Sequence, residues 1–124
     1  MGIDIYARWR GQSEDEITAQ HRAGSSTEAG RVGYLREAYH GEPYATIHLC
    51  AEAFTEFDGA RIPVANLRER LAQTLALAEQ RTRSIYKADE DEIEAVKQSF
   101  RDFVALCESK ERETGEPVLI VASY

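Results

Sequence analysis

The densest chemistry in the chain lies between residues 31 and 44, where Tyr34, Arg36, Glu37, Tyr39, His40, Glu42 and Tyr44 fall close together. The stretch offers phenol faces for stacking and a guanidinium whose fork matches phosphate and carboxylate. It also holds an imidazole, the side chain that titrates nearest neutral pH. Together these types suit a small anionic or nucleotide-like ligand. The expected ligand-binding set is Tyr34, Arg36, Tyr39, His40 and Tyr44, joined by Arg8 from the N-terminal strand. The competing reading is that the tyrosines pack and Arg36 pairs with Glu37 or Asp4.

Three catalytic or metal readings stand beside the binding one. Glu37 and His40 are three apart, so one helical turn would bring them together. His40 could then act as a general base oriented by Glu37, in a small hydrolase or lyase. His48 and Cys50 would share one face of a strand, but nothing supplies the third group or the oxyanion hole of a nucleophilic site. His40 and His48, even with Glu42, lack the spacing and the three-ligand set of a zinc centre. No P-loop, dinucleotide fingerprint, nucleophile elbow or H-E-x-x-H is present. The sequence therefore points to binding ahead of catalysis, with no metal and no cofactor.

The elements that must position these residues follow from periodicity. Residues 3–10 alternate Ile3, Ile5, Ala7 and Trp9 with Asp4, Tyr6, Arg8 and Arg10, which is a strand with one buried face. Ser13 and Glu16 have capping-box spacing, so a helical turn over 13–20 is expected. Residues 22–30, RAGSSTEAG, read as a mobile loop. Residues 31–43 admit strand, helix or loop. The favoured reading is a strand near 31–35 followed by an irregular turn through Gly41 and Pro43. Residues 44–50 read as another strand, which would set His48 on a face with Asp4, Tyr6 and Arg8. Phe54 and Phe57 are three apart, and one helical turn would pack both. Asp58-Gly59 marks a turn.

The second half carries the clearest pattern. Apolar residues recur at Val64, Leu67, Leu71, Leu75, Ala78 and Ile85, and again at Ile93, Val96, Phe100, Phe103, Val104 and Cys107. Asp89 and Glu92 form a helix start, while Gly115 and Pro117 form a stop. The spacing predicts helices over 64–86 and 89–113, each about 35 Å long at 1.5 Å per residue. Their short link makes them an antiparallel hairpin. Val118 to Ala122 are apolar on both faces, as in an interior strand. Its expected neighbour is the N-terminal strand.

The fold class is thus α+β: a small, mostly antiparallel sheet (strands near 3–10, 31–35, 44–50 and 117–123) covered by a long helical hairpin. One domain spans 1–124. Strands of this length are shorter than the helices, so the hairpin tip near Ile85 and Tyr86 should project. That tip would suit a second subunit.

Charge and composition set the outer limits. The formal net charge is −7 and only three lysines are present. Duplex nucleic acid needs a basic face, so it is not an expected partner. No segment is long and apolar enough for a membrane span. Asp4 and Arg8 interrupt any apolar leader, and a cytoplasmic location is the default expectation. Neither Cys50 nor Cys107 belongs to a C-x-x-C pair; the two could form one disulfide, but a chain with this apolar pattern does not need it, and Cys107, on the apolar stripe, is expected as a free, buried thiol.

The opening MGIDIY, the segment GYLREAYHGEPYA and the region near RIPVANLRERL resemble motifs in small uncharacterised proteins of bacteria and their phages. That group has no established activity, so the resemblance implies no catalytic residue. It does imply that the chemically rich turn lies inside the shared motif. A second reading of function accompanies it: a protein-interaction module, phage-linked and acting on a host factor, or a homodimer. The acidic surface, the missing catalytic motifs and the hairpin tip motivate that reading.

Overall fold

The computed structural model describes residues 2–24 and 29–124. Residues 25–28, the centre of the expected mobile loop, lie outside the described residues. Four strands, β1 (Gly2–Arg8), β2 (Tyr34–Ala38), β3 (Ala60–Ile62) and β4 (Val118–Ser123), form one antiparallel sheet in the order β2-β1-β4-β3. Ile3, Ile5 and Ala7 point to one face and are fully buried, as their alternation requires. β4 lies inside the sheet beside β1, with Tyr6 opposite Val121.

The helical hairpin covers that buried face. α3 (Val64–Ile85) and α4 (Glu90–Thr114) run antiparallel across it. Phe100, Phe103, Val104 and Cys107 of α4 meet Ile3, Ile5, Leu35, Val118 and Ile120 of the sheet in one core. Asp89 caps α4 by accepting from the Glu92 N–H at 2.8 Å. Both cysteines are free and buried, and burial pushes the Cys107 thiol up to about 12. Cys50, fully buried, is likewise pushed well up by desolvation, which removes it as a nucleophile. No helix among the described residues is long and apolar enough to cross a membrane.

The first half differs from its reading at four places. Residues 44–50 are not a strand; α2 (Ala45–Leu49) is a five-residue helix. Ala45, Thr46 and Leu49 are its buried positions, which is helical spacing rather than period two. His48 therefore leaves the sheet altogether. A 3-10 turn (Ala51–Phe54) follows, and Phe54 packs on Tyr124 at 5.0 Å between ring centres, whereas Phe57 is fully exposed and packs on nothing. The strand expected near 31–35 begins at Tyr34. A 3-10 turn (Ala29–Val32) takes its place and Gly33, with φ of 84°, makes the break. β3, only three residues long, carried too short a pattern to be anticipated.

The expected helix after Ser13 is α1 (Glu14–Ala23), with both halves of the capping box formed. Gln20 on α1 is completely buried. Its amide donates to the Ala7 and Val32 carbonyls at 2.9 Å and to Gly33 at 3.2 Å, and its carbonyl accepts from Arg8. One side chain thus ties α1 to the start of β2. The turn before β2 also presses against α4. A Cβ on Gly30 would sit 1.9 Å from the Ser99 carbonyl oxygen. Two backbones meet there and neither can swing aside. Gly30→Ala should therefore cost about 3 kcal/mol, the upper end for overpacking, as a lower urea midpoint with an unchanged slope.

Candidate functional site

The expected ligand residues separate into two places. Arg8, Tyr34 and Arg36 lie on the sheet face that the hairpin does not cover. Tyr39, His40 and Tyr44 lie in the turn beyond the end of β2.

On the uncovered face, Asp4 stands opposite Arg36 and Tyr6 opposite Tyr34. The Arg36 guanidinium donates to Asp4 at 2.7 Å, and the Tyr34 hydroxyl donates to the same carboxylate oxygen. Burial and that donation push the Tyr34 hydroxyl up to about 12. The Tyr6 ring is flanked by Tyr34 at 5.2 Å and His21 at 5.4 Å, with the Arg8 guanidinium 5.0 Å above it. Arg8 also donates to Gln20. Arg8 and Arg36 are thus both already engaged within the chain.

The turn is organised by a residue the sequence reading passed over. Arg81 of α3 enters it from below, and its side chain and that of Glu37 are 7% and 10% exposed. Its Nε pairs with Glu37 Oε2 at 2.9 Å. Its other nitrogens donate to the carbonyls of Ala38 (3.1 Å), Pro43 (3.2 Å) and Gly41. The guanidinium also lies 4.6 Å from the centre of the Tyr44 ring. Glu37 in turn accepts from the backbone N–H groups of Ala45 and Thr46, both at 2.9 Å, and from the Thr46 hydroxyl at 2.5 Å. The carboxylate caps α2 from a neighbouring strand, which is why residues 45–49 coil instead of extending.

Glu37 therefore has no capacity left to orient a base. His40 is exposed, rests edge-on against Tyr86 at 5.3 Å, and is not among the partners of Glu37. Among the described residues no group of His, Cys, Asp or Glu is placed to hold a metal, and no buried polar side-chain atom lacks a partner.

What remains open is a groove. β2 is an edge strand. Between its free side and the first turns of α4 lies a depression of about 620 Å3, within the range of ligand sites. Its floor and walls are mostly apolar: Leu35, Ala38, Tyr86, Ala95, Val96 and Phe100. Arg36 stands on one rim, and Asp91 and Glu92 at one end. Gly24 and Ala29 bound it opposite. The hairpin tip does not simply project, because Tyr86 (49% exposed) forms part of this wall.

The register fixes what the strand edge presents. The Ala7 N–H donates to the Gly33 carbonyl at 2.8 Å. Counting on by twos, Leu35 and Glu37 also exchange hydrogen bonds with β1. The backbone groups of Tyr34 and Arg36 then point outward into the groove. No family model, curated protein sequence or solved structure matches the chain.

The ion pair sets the groove's geometry, because it fastens the end of β2 to α3. Arg81→Ala strands a buried carboxylate and three carbonyls. It should cost about 3–5 kcal/mol, the range for one partner lost from a buried pair. Arg83→Ala, which breaks only exposed pairs with Glu79 and Glu90, should leave the urea midpoint nearly unchanged.

Proposed function

We propose that the protein is a non-enzymatic interaction module that receives an extended segment of a partner protein as an added strand along β2. The observation that carries this reading is the groove: an apolar depression with a free strand edge on one side and a helix on the other. Strand addition uses both walls. Main-chain hydrogen bonds reach Tyr34 and Arg36, and alternate side chains of the guest settle over Ala95, Val96 and Phe100.

The dimensions agree. Tyr34 to Ala38 spans about 13 Å at 3.3 Å per strand residue. Asp91 to Ser99 on α4 spans about 12 Å at 1.5 Å per helix residue. The two walls therefore run together for the length of about five extended residues.

This reading takes up the interaction module, one of the three functional readings drawn from the sequence. It gains over the anionic-ligand reading because Arg8, Arg36 and Arg81 are engaged with Gln20, Asp4 and Glu37. A second copy of this chain is a poorer guest than a foreign segment. Antiparallel self-pairing centred on β2 would set Arg36 against Arg36, and like charges directly opposite are unfavourable. Each copy also carries a net charge of −7.

Selection of a displayed random-peptide library on the wild-type protein tests the reading, with Ala95→Trp filling the groove from α4 and Ala88→Trp filling it from the link between α3 and α4. Enriched peptides should bind wild type and lose at least tenfold in affinity to either filled variant. The exposed control Gln98→Trp should bind as wild type does. Failure to enrich, or equal binding to the filled variants, would overturn the reading. So would a wild-type dimer in light scattering that both fillings dissociate, since the guest would then be a second copy.

A further inference from the structure

The groove is not uniform from end to end, and the difference specifies its guest. α4 runs beside β2 with its first turn at the Ala38 end: Arg81 and Tyr86 lie there, against Ala38 and His40. The later turns lie at the Tyr34 end, where the Gly30 N–H donates to the Ser99 hydroxyl at 3.2 Å. Apolar side chains line the middle, and Asp91 and Glu92 close the Ala38 end.

These two carboxylates differ from their neighbours. Glu79 pairs with Lys97, Glu90 with Arg83, and Glu94 with Arg101. Among the described residues no cation lies within ion-pair distance of Asp91 or Glu92, and both are exposed. Acids in a first helical turn are favourable by themselves. Their position at the end of an apolar groove gives these two a further consequence: among the described residues that line the groove, the unneutralised negative charge gathers at its Ala38 end.

We infer, resting on the strand-addition reading above, that the guest segment carries a lysine or arginine at the Ala38 end and apolar side chains at the preceding groove-facing positions. The spacing supports the pattern. Asp91 and Ala95 are one helical turn apart, about 6 Å along the axis. Groove-facing side chains of a strand repeat every second residue, about 6.6 Å. From the Tyr34 end to the Ala38 end, the guest reads apolar, outward-facing, apolar, outward-facing, basic. A basic terminus also complements a host with a net charge of −7 and aids encounter.

Two synthetic peptides test the inference, alike in their outward threonines and inward leucines and differing only in a lysine or a glutamate at the terminal groove-facing position. Each is made in both chain directions. Binding is measured by fluorescence anisotropy at low salt against wild type, Asp91→Asn/Glu92→Gln and Ala95→Trp. The neutral substitutions are exposed and nearly isosteric, and a thermal midpoint checks their fold.

The lysine peptide should bind wild type about tenfold more tightly than the glutamate peptide, as expected for two solvent-exposed charge contacts. That preference should vanish in Asp91→Asn/Glu92→Gln and shrink in salt. Equal binding of the two peptides, both lost in Ala95→Trp, overturns the charge inference and leaves strand addition standing. A lysine preference that survives Asp91→Asn/Glu92→Gln also overturns it, because the cation is then read elsewhere. If neither peptide binds and library selection yields none that Ala95→Trp excludes, strand addition itself fails and the inference falls with it.

Discussion

The buried pair of Arg81 and Glu37 is the contact on which the rest of the site depends. Taking both charges out of water is costly, and attraction alone seldom repays it. Here each group is saturated. Arg81 serves three carbonyls and an aromatic face as well as its partner, and Glu37 serves two amides and a hydroxyl. The pair thereby joins β2, the following turn, α2 and α3 at one point. It makes α2 a helix by supplying its missing cap, and it holds the end of β2 against the hairpin.

That arrangement explains why the tyrosine-rich turn is scaffold and the groove beside it is open. Every polar group in the turn with a strong partner has found it within the chain. The uncovered sheet face behaves similarly, since Asp4 takes both Tyr34 and Arg36. The unspent interactions lie elsewhere, in the outward backbone of an edge strand, the apolar wall of α4 and, among the described residues at the groove's end, the carboxylates of Asp91 and Glu92. Edge strands left open invite unwanted pairing. Arg36 on the rim guards against self-pairing while leaving the edge available to a complementary guest.

The helices α1, α3 and α4 and the two central strands were legible because their patterns or caps are unambiguous. Stripes such as Ile93, Val96, Phe100, Phe103 and Cys107 have one geometric solution. Residues 44–50 misled because seven residues can satisfy period two by accident, and the capping group that decided the matter, Glu37, comes from another element. The groove was illegible for the same reason: Leu35, Tyr86 and Phe100 belong to three segments that only the fold unites. Arg81 did leave a signal. It follows Ala78 by three, on the buried stripe of α3, where a charge is expected only if a partner waits for it. Gln20 left none, since a glutamine on a short amphipathic helix looks like any solvent-facing residue.

Strand addition can be read amide by amide. Hydrogen exchange of the protein alone and with a saturating library-selected peptide gives that reading directly. Exchange should slow at the Tyr34 and Arg36 amides and stay unchanged at Leu35 and Glu37, which already bond to β1. Protection that appears on the uncovered sheet face around Tyr6 and Val121, with Tyr34 and Arg36 exchanging as before, would contradict it.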